Sequence, residues 1–190
     1  MSGPFGRFLP LLRRWCTDNR ATALTETAIL FPVMMSLLMG VYDIGLGISI
    51  NHKTITASQV IGDLVTRNIQ MQAAMIEDIV EAGQLSLEPY PVLTMGYDIA
   101  SIEFESDGDP CVLWRVTENM DPNQVAVEST EGLGGPGEGI LAVTVAYRYT
   151  PYFSNFVVDT IDMQEVAFLR GRRSPTVPCP DCPSAAACDG

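Results

Sequence analysis

The sequence predicts an α+β protein: a single N-terminal transmembrane helix, extended into a long amphipathic helix that packs on a small, mainly antiparallel β-sheet. Three observations predict it. The stretch from Ala28 to Ile50 has Asp43 as its only charged residue. Apolar residues then recur at helical spacing from Ala57 to Ile79. Beyond Pro89 and Pro91, which close off helical geometry, the apolar period changes to two, the mark of strands. A chain of 190 residues with 47% hydrophobic positions suits one modest domain plus such an extra element.

Residues 1–21 form a basic leader, with Arg7, Arg13, Arg14 and Arg20 against Asp18 alone. Residues 22–52 form the transmembrane helix. At about 1.5 Å per residue the Ala28–Ile50 run spans roughly 35 Å, enough for a bilayer core of about 30 Å. A cleaved secretory signal would place small residues after a short apolar centre. Here Ala21–Ala23 precede the run, and the run is longer than a signal centre, so the helix is expected to be retained. Past Lys53 the chain holds 20 acidic and 6 basic residues, a net charge of −14. The positive-inside rule therefore keeps the N-terminus cytoplasmic. An acidic outer domain also argues against nucleic acid, which clustered Lys and Arg must hold. The one short basic patch, Arg170 to Arg173, reads as a solvated strand end.

Residues 53–84 read as a helical extension, with Ala57, Ile61, Leu64, Met71, Met75 and Ile79 on one stripe, Asn68 as its polar break and an end near Gly83. Residues 85–170 read as the β-rich domain. Ile102 and Phe104 alternate with Ser101, Glu103 and Glu105, and Val112, Trp114 and Val116 alternate with Leu113, Arg115 and Thr117. These are half-buried strands joined through Ser106–Pro110. The glycine-rich Gly132–Gly139 lacks the Lys-Ser/Thr ending of a phosphate loop and is read as a strand connection. Leu141, Val143, Val145, Tyr147 and Tyr149 share one face of the next strand, and Met163–Arg173 returns to pair with it.

Residues 171–190 form a Pro- and Cys-rich tail with too little apolar surface to fold alone. Cys111, Cys179, Cys182 and Cys188 all lie on the side assigned to an oxidising compartment, where an even count permits two disulfides. A redox-active pair at Cys179 and Cys182 is the sharper alternative. Pro180, Asp181 and Pro183, however, supply neither the helix N-terminus nor the basic neighbour that lowers a thiol pKa. The four cysteines also lack the paired spacing of a closed zinc site. Cys16, on the cytoplasmic side, reads as a free thiol. The single histidine, His52, stands beside Lys53 at the outer membrane edge and reads as an interfacial anchor. With no acid/base pair and no nucleophile motif, neither catalysis nor a cofactor is expected.

Glu26 lies at the cytoplasmic margin of the apolar run. An acid at the centre of a membrane helix costs about 2.5–3.5 kcal/mol on insertion scales and marks function; at the margin, water solvates it. The surrounding residues add more. Residues 21–45, ATALTETAILFPVMMSLLMGVYDIG, resemble the N-terminal segment of TadE/TadG-like pseudopilins, in which a small residue precedes a cleavage point, Glu follows at the fifth mature position and a proline lies six beyond it. Ala21, Thr22, Glu26 and Pro32 match that spacing, although Ala21 stands where Gly is usual and Thr27 where an aromatic is common. Gly40, Asp43 and Gly45 match the family's Gly-x-x-acid-x-Gly stretch, and Val143–Phe153 is similar to its strand ending in Pro.

The resemblance implies a structural component of tight-adherence (Tad/Flp) pilus assembly in the bacterial inner membrane, with a periplasmic outer domain. Its implied partners are other pilins or pseudopilins, pilus assembly proteins, membrane lipid and a prepilin peptidase that cuts between Ala21 and Thr22. Cleavage would create an amine at Thr22, and a neighbouring subunit's Glu26 would neutralise it in a low-dielectric site. TadG-type relatives act as uncleaved anchors. Asp43 has two readings: it reaches the outer headgroups, or it meets another helix brought close by Gly40 and Gly45. Two other functions remain open at this level, a membrane-tethered periplasmic binding module with no link to pili and a thiol oxidoreductase carried by Cys179 and Cys182.

Overall fold

The computed structural model describes residues 20–153 and 159–183; the expectations for leader residues 1–19, Cys16 among them, and for Cys188 fall outside them. The chain divides into two compact units, Met1–Ile44 and Gly45–Gly190, and helix α1, Arg20–Thr66, contributes to both. In the first unit α1 turns Leu24, Ile29, Phe31, Met34 and Leu38 outward. It is the one helix among the described residues long and apolar enough to cross a membrane, and only 6% of its most apolar window is buried. Pro32 lies within it without ending it. The proline ring removes the hydrogen bond that the Ala28 carbonyl would otherwise accept.

In the second unit α1 becomes a core helix. Ile50, Ala57, Ile61 and Val65 are buried at helical spacing. The buried hydroxyls of Thr54, Ser58 and Thr66 donate to the carbonyls of Ile50, Ile55 and Gly62 at 3.0, 2.9 and 2.8 Å. They are thereby satisfied without leaving the helix.

The single extension over 53–84 is corrected. α1 ends at Thr66 and a separate helix, α2, covers Ala73–Leu85. The Asn68 amide donates to the Leu64 carbonyl at 3.0 Å, offering the backbone an alternative to another helical turn. Residues far along the chain then take the freed groups. Met71 N–H donates to the Pro178 carbonyl at 2.8 Å, and Arg172 N–H to the Thr66 carbonyl at 3.1 Å. α2 folds back on α1 at Gly83, where a Cβ would stand 2.5 Å from Ile61 Cγ1, so the helices approach more closely than a side chain permits. Ile76, Ile79 and Val80 complete this face.

Four antiparallel strands follow: β1 (Met95–Phe104), β2 (Pro110–Glu118), β3 (Gly139–Tyr149) and β4 (Ile161–Leu169), in the order β2-β1-β3-β4. The connection through Ser106–Pro110 and the glycine-rich lead into β3 stand as the sequence predicts, and the last strand pairs with β3 as expected but covers Ile161–Leu169 rather than Met163–Arg173. β1 is not half-buried, however; it is a central strand covered on both faces. Met95, Tyr97 and Ile99 join Leu141, Val143, Val145, Tyr147 and Tyr149 against the helices. Ala100, Ile102 and Ala142 face the opposite way, under Val127 of the short helix α3, Gln124–Glu128.

A second correction concerns β2. Its pairing with β1 shifts register between Ser101 and Ile102: Ser101 pairs with Trp114 and Ile102 with Val112, leaving Leu113 as the extra residue of a bulge. Val112 therefore packs with Ile102 and Ala142, while Trp114 and Val116 pack toward the helices. One inserted residue exchanges the faces, because the side-chain period of a strand is two.

The tail finds its partners in the sheet domain. Val177, Cys179 and Cys182 are buried in the main core. Trp114 Nε1–H donates to the Val177 carbonyl at 2.6 Å, and Arg115 N–H on the outer edge of β2 donates to the Pro183 carbonyl at 3.2 Å. The segment that cannot fold alone folds against the sheet.

Candidate functional site

The Ala21–Thr22 bond lies in helical backbone, since α1 is helical from Arg20 onward. A peptidase that binds its substrate extended must first unwind this turn. Thr22, Glu26 and Pro32 are exposed. Thr22 and Glu26 are four residues apart on a helix and so lie on one face, one turn apart. Asp43 differs, being only 4% exposed.

Cys179 and Cys182 form a disulfide, and both are buried, at 7% and 8% exposure; Cys111 is disulfide-bonded as well. A buried sulfur is poorly placed for attack by a thiolate, which thiol–disulfide exchange requires. The pair closes a turn within the tail, and both residues lie in the core cluster that also holds Val177 and Trp114. The ring it closes is short, with a sequence separation of 3. Loop-closure entropy for such a ring is about 2 kcal/mol, so C179S/C182S is expected to lower unfolding stability by about that amount. Denaturant titration followed through the fluorescence of buried Trp114 measures it.

The sheet holds one buried charge that the sequence reading passed over. Asp98, 2% exposed, lies within β1 and accepts from Arg115 Nε at 2.8 Å and Nη2 at 2.6 Å, from Thr117 Oγ1 at 2.7 Å and from the Asn123 backbone N–H at 2.8 Å. Asn123 in turn caps α3, accepting from Ala126 N–H at 3.1 Å, and donates to Thr144 Oγ1 of β3 at 3.2 Å. Burial pushes the Asp98 carboxyl up, but the hydrogen bonds from Arg115, Thr117 and Asn123 outweigh it and hold the group below the ordinary carboxylate range. With every acceptor position engaged, the cluster is a structural lock joining β1, β2, β3 and α3 rather than an acid or base. The available signal was an acid set between Tyr97 and Ile99 in the apolar first half of a strand, opposite a strand carrying Arg115 and Thr117.

A surface cleft of about 460 Å³ opens at one end of the sheet, lined in part by Leu93, Asn119, Asp121, Arg148, Asp162 and Gln164. Arg148 and Asp162, opposite each other on β3 and β4, pair in its wall at 2.8 Å. Arg170 reaches Glu138 at 3.2 Å and the Leu133 carbonyl, and Arg172 pairs with Asp63, so two arginines of the basic patch brace the domain. Among the described residues no group of three or more His, Cys, Asp or Glu side chains is placed to hold a metal.

No protein-family model matches the chain, and no curated protein or solved structure does.

Proposed function

We propose that the chain is a minor pseudopilin or membrane-anchored structural component of tight-adherence (Tad/Flp) pilus assembly, single-pass in the bacterial inner membrane, with its N-terminus cytoplasmic and its sheet domain periplasmic. The observation that carries this reading is Glu26, exposed on a continuous helix one turn beyond Thr22 and six residues before Pro32, at the head of the apolar run. An exposed carboxylate there is available to a neighbouring subunit. An amine created at Thr22 of that neighbour would give it a counter-charge whose value rises as the local dielectric falls. The partners are other pilins or pseudopilins and the assembly proteins that order them, with prepilin peptidase as the processing enzyme.

Two measurements in the native host test the reading. Terminal sequencing of the membrane-bound form is expected to give a start at Thr22 that depends on prepilin peptidase. E26A is expected to reduce surface pili roughly tenfold or more, the weight of about 1.4 kcal/mol per assembly contact. Normal piliation by E26A would remove the assembly role. A chain starting at Met1 or Ser2 in both strains would make the protein an uncleaved anchor, and Glu26 would lose its counter-charge.

A further inference from the structure

Three contacts within the unit Gly45–Gly190 fix which parts of the sheet domain lie beside the outer end of the apolar run. Lys53 Nζ donates to the Ser86 carbonyl at 3.4 Å, and Tyr90 Oη donates to Ser49 Oγ at 3.1 Å. Gly47 stands against β3 and β4, where a Cβ would lie 3.6 Å from Tyr149 Cε1 and 3.7 Å from Met163 Cε. From Lys53 to Gly47 is six residues, about 9 Å of helical rise. Lys53 is the first charge after the run, whereas Ser49 and Gly47 lie inside it. The domain thus descends along its own helix to a level that the apolar run assigns to the membrane boundary.

The loops at that level carry large apolar side chains into the open. Leu93 is 89% exposed and Tyr152 69%, with Phe153 also exposed. The segment carrying Leu93 is bonded to the end of β3, from which the chain runs on to Tyr152 and Phe153: Tyr147 Oη donates to the Pro91 carbonyl at 3.0 Å and Thr94 Oγ1 to the Arg148 carbonyl at 3.2 Å. The two segments form one rim. The charges beside it, Arg148 and Asp162, pair with each other, which lowers the cost of bringing them to an interface. Aromatic rings with an apolar body and a polar tip are the residues that favour the headgroup layer.

We propose that this rim, carried by Leu93, Tyr152 and Phe153, is seated in the lipid headgroup layer, so that the sheet domain is docked on the bilayer as well as tethered to it. The proposal rests on the transmembrane reading of α1. The occupant is lipid rather than a protein partner because the rim's level is set by the same helix that enters the membrane.

The full chain reconstituted in phosphatidylcholine vesicles tests this, with tryptophan introduced singly as L93W, Y152W, L37W or L133W and the parent chain's own emission subtracted. Leu37 lies mid-run and reports the span. Leu133 lies beside the Phe104 end of β1, away from the rim. Lipids brominated near the headgroup are expected to quench L93W and Y152W at least about twice as strongly as L133W, the difference between interfacial and aqueous indole. Quenching of L93W and Y152W no greater than that of L133W, with L37W quenched by deeply brominated lipid, would overturn the docking and leave the span intact. An unquenched L37W would overturn both, and the span reading would be the part at fault.

Discussion

D98A is expected to destabilise the sheet domain by about 3–5 kcal/mol, the cost of removing one partner from a buried ion pair and leaving the other uncompensated. Arg115 is the group left behind. Its side chain is 12% exposed, and both hydrogen bonds from its guanidinium to Asp98 would be lost together with those from Thr117 and Asn123 N–H. Chemical denaturation of the purified full chain in detergent, read through Trp114, measures the loss. The cluster also sets an acid limit. Asp98 has a folded-state pKa below its ordinary value, so the unfolded chain binds the proton more readily. Its contribution is fully present above the unfolded value of about 3.9 and is lost as pH falls from there through the lower folded value. D98N keeps the shape and removes the titrating charge, and it is expected to flatten this acid-side decline. An acid branch identical in D98N and the parent would show that Asp98 does not set it.

W114A is expected to cost about 3–5 kcal/mol, the range for truncating a buried large aromatic to alanine. The ring is 2% exposed in the main core, and its indole N–H is bonded to the Val177 carbonyl at 2.6 Å. W114F separates the two contributions, because it keeps most of the apolar area but leaves that carbonyl without its donor, a loss of about 1–3 kcal/mol. The position also gives a local signature. Met71 N–H and Arg115 N–H are bonded to Pro178 and Pro183 of the tail. Their hydrogen exchange in W114F is therefore expected to accelerate more than that of amides in the centre of β1 and β3. Uniform acceleration across the sheet would mean that Trp114 supports the core alone and does not hold the tail.

Particular elements show where sequence reasoning succeeds. The apolar run of α1 is legible because membrane-length hydropathy is a property of consecutive residues, and the buried face of β3 is legible because Leu141 through Tyr149 alternate without interruption. Other features were less accessible. The bulge at Leu113 hides within a strand whose letters alternate regularly, since its extra residue is defined only by the pairing with Ser101 and Ile102. Asp98 reads as an ordinary strand polar residue until Arg115, Thr117 and Asn123 converge on it.

The sequence by itself determined the class of the protein: one long apolar helix, a helical continuation, an antiparallel sheet, and an acidic character for everything past Lys53. These rest on local periodicity and composition, which a chain carries at every position regardless of how it folds. Tertiary structure alone decided where α1 stops, which face Val112 takes, how the tail is held and which loops stand level with Gly47 and Ser49. Each of these depends on a partner far away in sequence, such as Pro178 for Met71 or Val177 for Trp114. Hydrogen bonds of that kind form only once the core has brought both groups out of water, where an unpaired donor or acceptor is costly.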